Sequence, residues 1–216
     1  QDEQNYIGTP VSTQPGPTGG NIVISQVMIG TTAASGEFVE LYNPTTNAID
    51  LQAMGIKLHI RNSGGTDTNK SITWVNSIIP AKGFFLIAGT NTASGIWQSD
   101  INPDATYASA SNGLVSNGAV YINVSSSSDT ATAIDLVGFG SQPTGGYESI
   151  TTTSPSNGLS VERKPGTPNG NGIDTNNNAN DFMYPVDAHP RNSSSPSEPA
   201  SGPSVPSAPA GLYGVA

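Results

Sequence analysis

Residues 36–44 read G-E-F-V-E-L-Y-N-P. Val39 and Leu41 point to one face of a strand, and Phe38, Glu40 and Tyr42 to the other, because successive side chains alternate. Val, Phe and Tyr suit a pleated, half-buried surface. Gly36 opens the run. Asn43-Pro44 closes it, since Asn bonds its own backbone and Pro presets the φ of a turn. One face is therefore aliphatic, and the other is aromatic with a carboxylate at its centre.

Upstream, N-I-V-I-S-Q-V-M-I at 21–29 is apolar on both parities and predicts a strand near the centre of a sheet. Downstream, Met54, Ile56, Leu58 and Ile60 alternate with Gly55, Lys57 and His59. This predicts a strand with one wet face and places His59 at the surface. Residues 61–70 read as a polar loop around Gly64-Gly65, and residues 89–113 as a long excursion anchored by Trp97, Ile101 and Tyr107. Further strands are expected at 71–75, 83–88 (GFFLIA), 118–124 (GAVYINV), 132–139 (TAIDLVGF) and 159–163 (LSVER), with SSSSDT as a hairpin loop. Eight short strands without a periodic helix predict an all-β sandwich. About 165 residues of sandwich bury roughly 70% of their unfolded surface, enough for a core without disulfides.

The ends differ from this middle. Residues 1–20 carry Pro10, Pro15, Pro17 and Gly19-Gly20, and read as an extended N-terminal arm. Residues 185–216 are Pro- and Ser-rich and read as a C-terminal arm. The domain is expected at 21–184.

The 216 residues include 16 acidic and 7 basic side chains, a net charge of −9, and no Cys. Disulfides, thiolate nucleophiles and Cys-based zinc sites are excluded. A negative surface with scattered basic residues is a poor match for phosphate backbones, so nucleic acid is not the expected partner. No apolar run approaches the ~20 residues that span a bilayer. Gln1 in place of an initiating Met leads us to expect removal of an export signal, hence an extracellular or cell-surface location.

The order of motifs resembles the lamin tail domain family. The pieces that carry it are I-V-I-S-Q-V-M at 22–28, G-E-F-V-E-L-Y-N-P at 36–44, A-I-D-L at 48–51 with G-I-K-L at 55–58, G-F-F-L-I-A at 83–88, D-L-V-G-F-G at 135–140, S-V-E-R-K at 160–164 and D-T-N-N-N-A-N-D-F at 174–182. The resemblance implies an immunoglobulin-like β-sandwich and carries no catalytic residues. Ala53-Met54 stands where members often have Gly-Trp, which leaves Trp74 or Trp97 to fill that volume.

The most oxygen-rich stretch is 174–181. Asp174, Asn176, Asn178 and Asp181 offer oxygens of the kind Ca²⁺ takes. The central Gly and distal Glu of a helix–loop–helix calcium site are missing, which favours an Asx-bonded turn capping the sandwich. Glu37, Glu40, Asp50 and Glu162 read as acid/base candidates or as ion-pair partners. Glu40, between Phe38 and Tyr42, is expected to pair with Arg163. His59 and His189 are too far apart in sequence to suggest a triad or a metal site, and G-x-S-x-G is absent. Asn69 and Asn123 begin N-x-S/T sequons and are candidate glycosylation sites.

These features predict a non-enzymatic, exported structural subunit. The arms offer Tyr6, Ile7 and Val11 at one end and Leu212, Tyr213 and Val215 at the other, suited to adding to a sheet edge of another copy. Head-to-tail contacts that do not close give filaments or sheaths. The alternative is a cell-surface binding module, with Trp74, Trp97, Tyr107 and Tyr147 stacking on a glycan.

Overall fold

A computed structural model describes residues 22–30, 36–90, 101–109, 113–141, 143–155, 159–165 and 171–198. In chain order the elements are β1 (Val23–Met28), β2 (Phe38–Tyr42), β3 (Ile49–Asp50), α1 (Leu51–Met54), β4 (Lys57–Asn62), β5 (Asp67–Lys70) and β6 (Ile72–Trp74). They continue with β7 (Ile78–Ile79), β8 (Phe84–Gly89), β9 (Ala105–Tyr107), β10 (Gly118–Asn123), β11 (Asp135–Phe139), β12 (Leu159–Arg163), α2 (Asn178–Asp181) and β13 (Phe182–Asp187). One sheet runs β13-β12-β1-β2-β8-β9-β6, a second runs β11-β10-β4-β5, and β3 pairs with β7. The β8–β9 pair is parallel and the other named pairs are antiparallel.

This is the expected all-β, immunoglobulin-like sandwich. Its main core joins Ile24, Val27, Val39, Leu41, Phe85, Ile87 and Val161 of the first sheet to Leu58, Ile60, Val120, Ile122, Val137 and Phe139 of the second. Val39 and Leu41 lie on the core face as expected. Trp74 packs half-buried against this core, its ring centroid 6.0 Å from that of Phe85. Trp97 lies outside the described residues.

Four local expectations are corrected. Residues 51–54 form one turn of helix rather than the start of a strand. The Asp50 carboxylate accepts from Gln52 N and Ala53 N, both at 3.0 Å, and Gly55 ends the turn at φ +80°. Residues 67–70 form an edge strand rather than part of a loop, and their polar side chains hid it. Residues 105–107 pair with both β6 and β8. The last strand crosses position 184 and runs through Asp187, and residues 188–198 then lie against the first sheet.

The outer faces are also covered. Phe38, Glu40 and Tyr42 are all buried, as is the whole of β2. Ala188 and Ile101 pack on Met28, Phe38, Leu86 and Ala88. On the second sheet His59 is 0% exposed, not a surface residue. Its ring stacks on Tyr121 at 4.5 Å, and its nitrogens meet Asp67 Oδ1 at 2.8 Å and Ser125 O at 3.0 Å. The loops after β10 and β11 are tied down over this face by Arg61, which donates to Ser128 O and Thr144 O.

Candidate functional site

Among the described residues, buried charge gathers in three places. The first is Glu37, at the end of the loop before β2. Tyr107 Oη donates to its Oε1 at 2.7 Å and Leu114 N to its Oε2 at 3.0 Å. Burial pushes its pKa up from 4.5 to about 7, against the pull of Tyr107, Leu114 and Lys70. The folded protein therefore holds this proton more tightly than the unfolded chain. Its contribution to stability is full below 4.5 and is lost as pH rises through about 7. Glu37→Gln, neutral throughout, is expected to flatten that part of the profile by roughly 2–3 kcal/mol. Urea midpoints across the range check it, and parallel profiles for the two proteins would exclude Glu37 as the group.

The second place is the outer face of the first sheet. Arg191 donates through Nη2 to Glu40 Oε1 at 2.8 Å and Glu162 Oε1 at 2.9 Å, and through Nη1 to Glu198 Oε1 at 3.0 Å. Its backbone N also reaches Glu40 Oε2, and its guanidinium lies 3.7 Å over the Phe84 ring centroid. Ser25 Oγ donates to Glu40 at 2.6 Å. His189 sits 3.2 Å from Glu162, and the pairing lifts its pKa to about 8. Glu40 thus pairs with Arg191 and not with Arg163. On β12 the alternation sends Glu162 to Glu40's face and Arg163 to the core face.

The third place is at one end of the sandwich, around Arg163, whose side chain is 0% exposed. Its Nε donates to Ile24 O and its Nη1 to Ile173 O, both at 2.8 Å, and its Nη2 to Asp135 Oδ2 at 2.7 Å. The Phe182 ring lies 4.7 Å away. Asp174 and Asp181 approach Nη1 at 3.8 Å and 3.7 Å. Burial raises the pKa of Asp135 to about 6 and of Glu148 to about 9. Arg163 opposes both shifts, and the neighbouring carboxylates add to them. Burial works against the Arg163 charge, yet Asp135, Asp174, Glu148 and Asp181 hold its pKa above the ordinary value.

The four oxygens offered at 174–181 do not close as a calcium cage. Asn178 spends its carboxamide oxygen on Gly138 N at 2.9 Å and Glu148 N at 3.0 Å, and its Nδ2 on Leu136 O and Glu148 Oε2. Asp181 accepts from Thr175 N, Thr175 Oγ1 and Asn177 N. Asn176 stands at φ +54° with its N–H on Asp174 Oδ1. The stretch is the Asx-bonded cap that was the other reading. Gly138 lies beneath the loop at 146–147, where a Cβ would meet Gly146 O at 2.2 Å and Tyr147 Cβ at 2.3 Å. Asp174 is instead brought to Asp135 and Glu148, which composition alone did not mark.

Asn69 is exposed, as a glycosylation site requires. Asn123 is 1% exposed, donates to Thr132 Oγ1 at 2.9 Å and accepts from Val124 N and Ser125 N. A glycan there is incompatible with the folded turn. Tyr107 is buried and is removed from any stacking surface. Trp74 lines a cleft of about 110 Å³ with Lys57, Asn69 and Lys70, below the ~300–1,000 Å³ of typical ligand pockets. Tyr6, Ile7, Val11, Leu212, Tyr213 and Val215 lie outside the described residues. No helix among the described residues is long and apolar enough to cross a membrane.

Comparison with known proteins bears on the fold. A family model described as Lamin Tail Domain matches residues 15–141, more than half of the chain. The match ends before Glu148, Arg163, Asp174 and Arg191. The crystal structure of a DUF4876 family protein from Bacteroides thetaiotaomicron is similar, with a TM-score of 0.51 and 13% identity over 79% of this chain and 72% of that one. No curated protein matches the chain.

Proposed function

The chain belongs to the lamin tail domain family, and on that footing we propose that it is a non-enzymatic, exported structural protein. In this reading it is a self-assembling subunit of an extracellular filament, sheath or surface layer, with its terminal segments contacting neighbouring copies. One observation carries the reading. Residues 188–198 are stitched to the first sheet by Arg191, by Ser193 N on Asp104 Oδ2 at 2.9 Å and by Glu198 N on Lys82 O at 2.9 Å. The described chain therefore ends, at Glu198, on an anchor fixed to the sandwich, and the segment 203–216 that carries Leu212, Tyr213 and Val215 lies outside the described residues. In the proposed assembly, once one contact joins two copies, a second contact between them is intramolecular and forms at high effective concentration. The net charge of −9 disfavours nucleic acid as the partner.

Deleting residues 1–20 or 203–216 is expected to abolish polymers seen by electron microscopy, while the melting temperature of the sandwich stays within a few degrees. Polymerisation of both truncated proteins would overturn the arm mechanism. A full-length chain that remains monomeric and binds glycan would favour the adhesion alternative, for which the half-buried Trp74 and Tyr147 are the remaining described support.

A further inference from the structure

Asp135, Glu148 and Asp174 each bring one carboxylate oxygen within 4.8 Å of the other two. They come from the first residue of β11, from the loop after it and from the loop before α2. Oxygens held by one Ca²⁺ at ~2.3–2.6 Å lie at most about 5 Å apart, so a single ion can touch all three.

The hydrogen bonding leaves these oxygens room. The Asp174 side chain is 5% exposed. Its Oδ1 accepts from Asn176 N at 3.0 Å, while its buried Oδ2 meets no donor among the described residues. Such an orphaned acceptor is rare in a folded protein and points to a cation. Glu148 commits Oε2 to Asn178 Nδ2 at 3.0 Å, and Oε1 accepts from none of the described residues. Asp135 Oδ2 is filled by Ile24 N at 2.5 Å and Arg163 Nη2 at 2.7 Å. Its Oδ1 accepts only Leu136 N at 3.0 Å and keeps a lone pair. Charge points the same way. With Asp181, four carboxylates face the single guanidinium of Arg163.

We propose that Asp135, Glu148 and Asp174 form a Ca²⁺ site that clamps the loops carrying Glu148 and Asp174 onto β11. The donors are all oxygens, which selects a hard cation. The irregular backbone behind Glu148 and Asp174 suits the six to eight variable ligands of Ca²⁺ better than the strict octahedron of Mg²⁺. The site differs from the 174–181 loop in that it draws its ligands from three separate stretches and shares only Asp174 with it.

The test uses the full chain. Melting temperature is measured in chelator, in Ca²⁺ and in Mg²⁺, with calorimetric titration of Ca²⁺ alongside. Ca²⁺ at roughly a hundredfold excess over its Kd is expected to raise the melting temperature by about 5–10 °C, and Mg²⁺ by much less. Glu148→Gln and Asp174→Asn are each expected to lose the Ca²⁺ response. Asp174→Asn also removes a repelling charge, and both replacements keep the shape of the side chain, so each is expected to melt in chelator no lower than the parent. No Ca²⁺ shift and no titration heat in the parent would overturn the site in favour of a proton shared among the carboxylates. An equal Ca²⁺ shift in both variants would place the ion elsewhere and overturn it too. A larger shift with Mg²⁺ would overturn the choice of ion.

Discussion

Arg163→Met is expected to destabilise the sandwich by roughly 3–5 kcal/mol, the cost of removing one partner from a buried ion pair. For a chain of this size that lowers the melting temperature by about 6–20 °C. The reason is not the loss of one attractive contact. Asp135, Asp174, Glu148 and Asp181 would be left facing one another in a site from which Arg163 is wholly shielded from water. Three acceptors would also each lose a donor, namely Ile24 O, Ile173 O and Asp135 Oδ2. Arg163→Lys separates the two effects. It keeps the charge but replaces the broad planar fork with one compact ammonium, which cannot span Ile24 O, Ile173 O and Asp135 Oδ2 together, so an intermediate loss is expected. The pH dependence has a definite sign. Asp135 and Glu148 already titrate high, and without the guanidinium they titrate higher. The folded variant then binds protons more tightly than the unfolded chain, and part of the loss is recovered as pH falls. Urea unfolding in chelator measures all three proteins. An Arg163→Met variant within about 0.5 kcal/mol of the parent would mean that the cluster is already neutral, since surface-like substitutions cost no more than that.

Arg163 also shows where a sequence reading stops. The strand containing Val39 and Leu41 was legible because period-2 alternation is local, and its core face emerged as expected. The partner of Glu40 was not. Alternation along β12 is equally local, and with Val161 in the core it turns Arg163 to the core face as well, since residues two apart share a face. The true partner lies 151 residues away, in a Pro/Ser-rich stretch with no periodicity at all. Composition marks that stretch as a tail, yet one Arg, one Ser and one Glu fasten it down. Tertiary bonding of single side chains leaves no pattern for a window to find.

The covered outer faces failed for the same reason. His59 falls on the polar parity of β4, and parity alone says water. The covering comes from a loop 66 residues later, whose Ser125 carbonyl meets the ring. Asp135 carried a usable signal that went unread. It is a carboxylate next to Ile134 and Leu136 at the mouth of a buried strand, where an unpaired charge is expensive. That observation asks for a buried cation, and Arg163, at the end of S-V-E-R, was the available candidate. Glu148 carried no such signal. It sits in a turn-rich segment and reaches the cluster only through Asn178, whose single side chain ties residues 136, 138 and 148 together.

Arg191→Ala is the second large effect. The expected loss is about 3 kcal/mol, at the low end of the ~3–5 kcal/mol for breaking a buried pair, because the Arg191 side chain is 20% exposed while Glu40 is 0% exposed. Glu40 would keep Ser25 Oγ as a donor but lose its countercharge, and Glu162 and Glu198 would lose the cation they share with it. Burial already pushes the Glu40 pKa up against the pull of Arg191. With that pull gone, the variant regains stability as pH falls. Loss of the clamp also frees residues 188–198 from the aromatic face of Phe84, so proteolysis should begin in that segment and spare the sandwich. The rival explanation is that packing of Ala188 and stacking on Phe84 hold the segment, with the charges incidental. A double-mutant cycle decides between them. If charge pairing dominates, Arg191→Ala costs markedly less in a Glu40→Gln background, with a coupling of about 1–3 kcal/mol. If the cost is the same in both backgrounds, packing holds the segment, and the anchor from which the C-terminal chain departs is apolar rather than electrostatic.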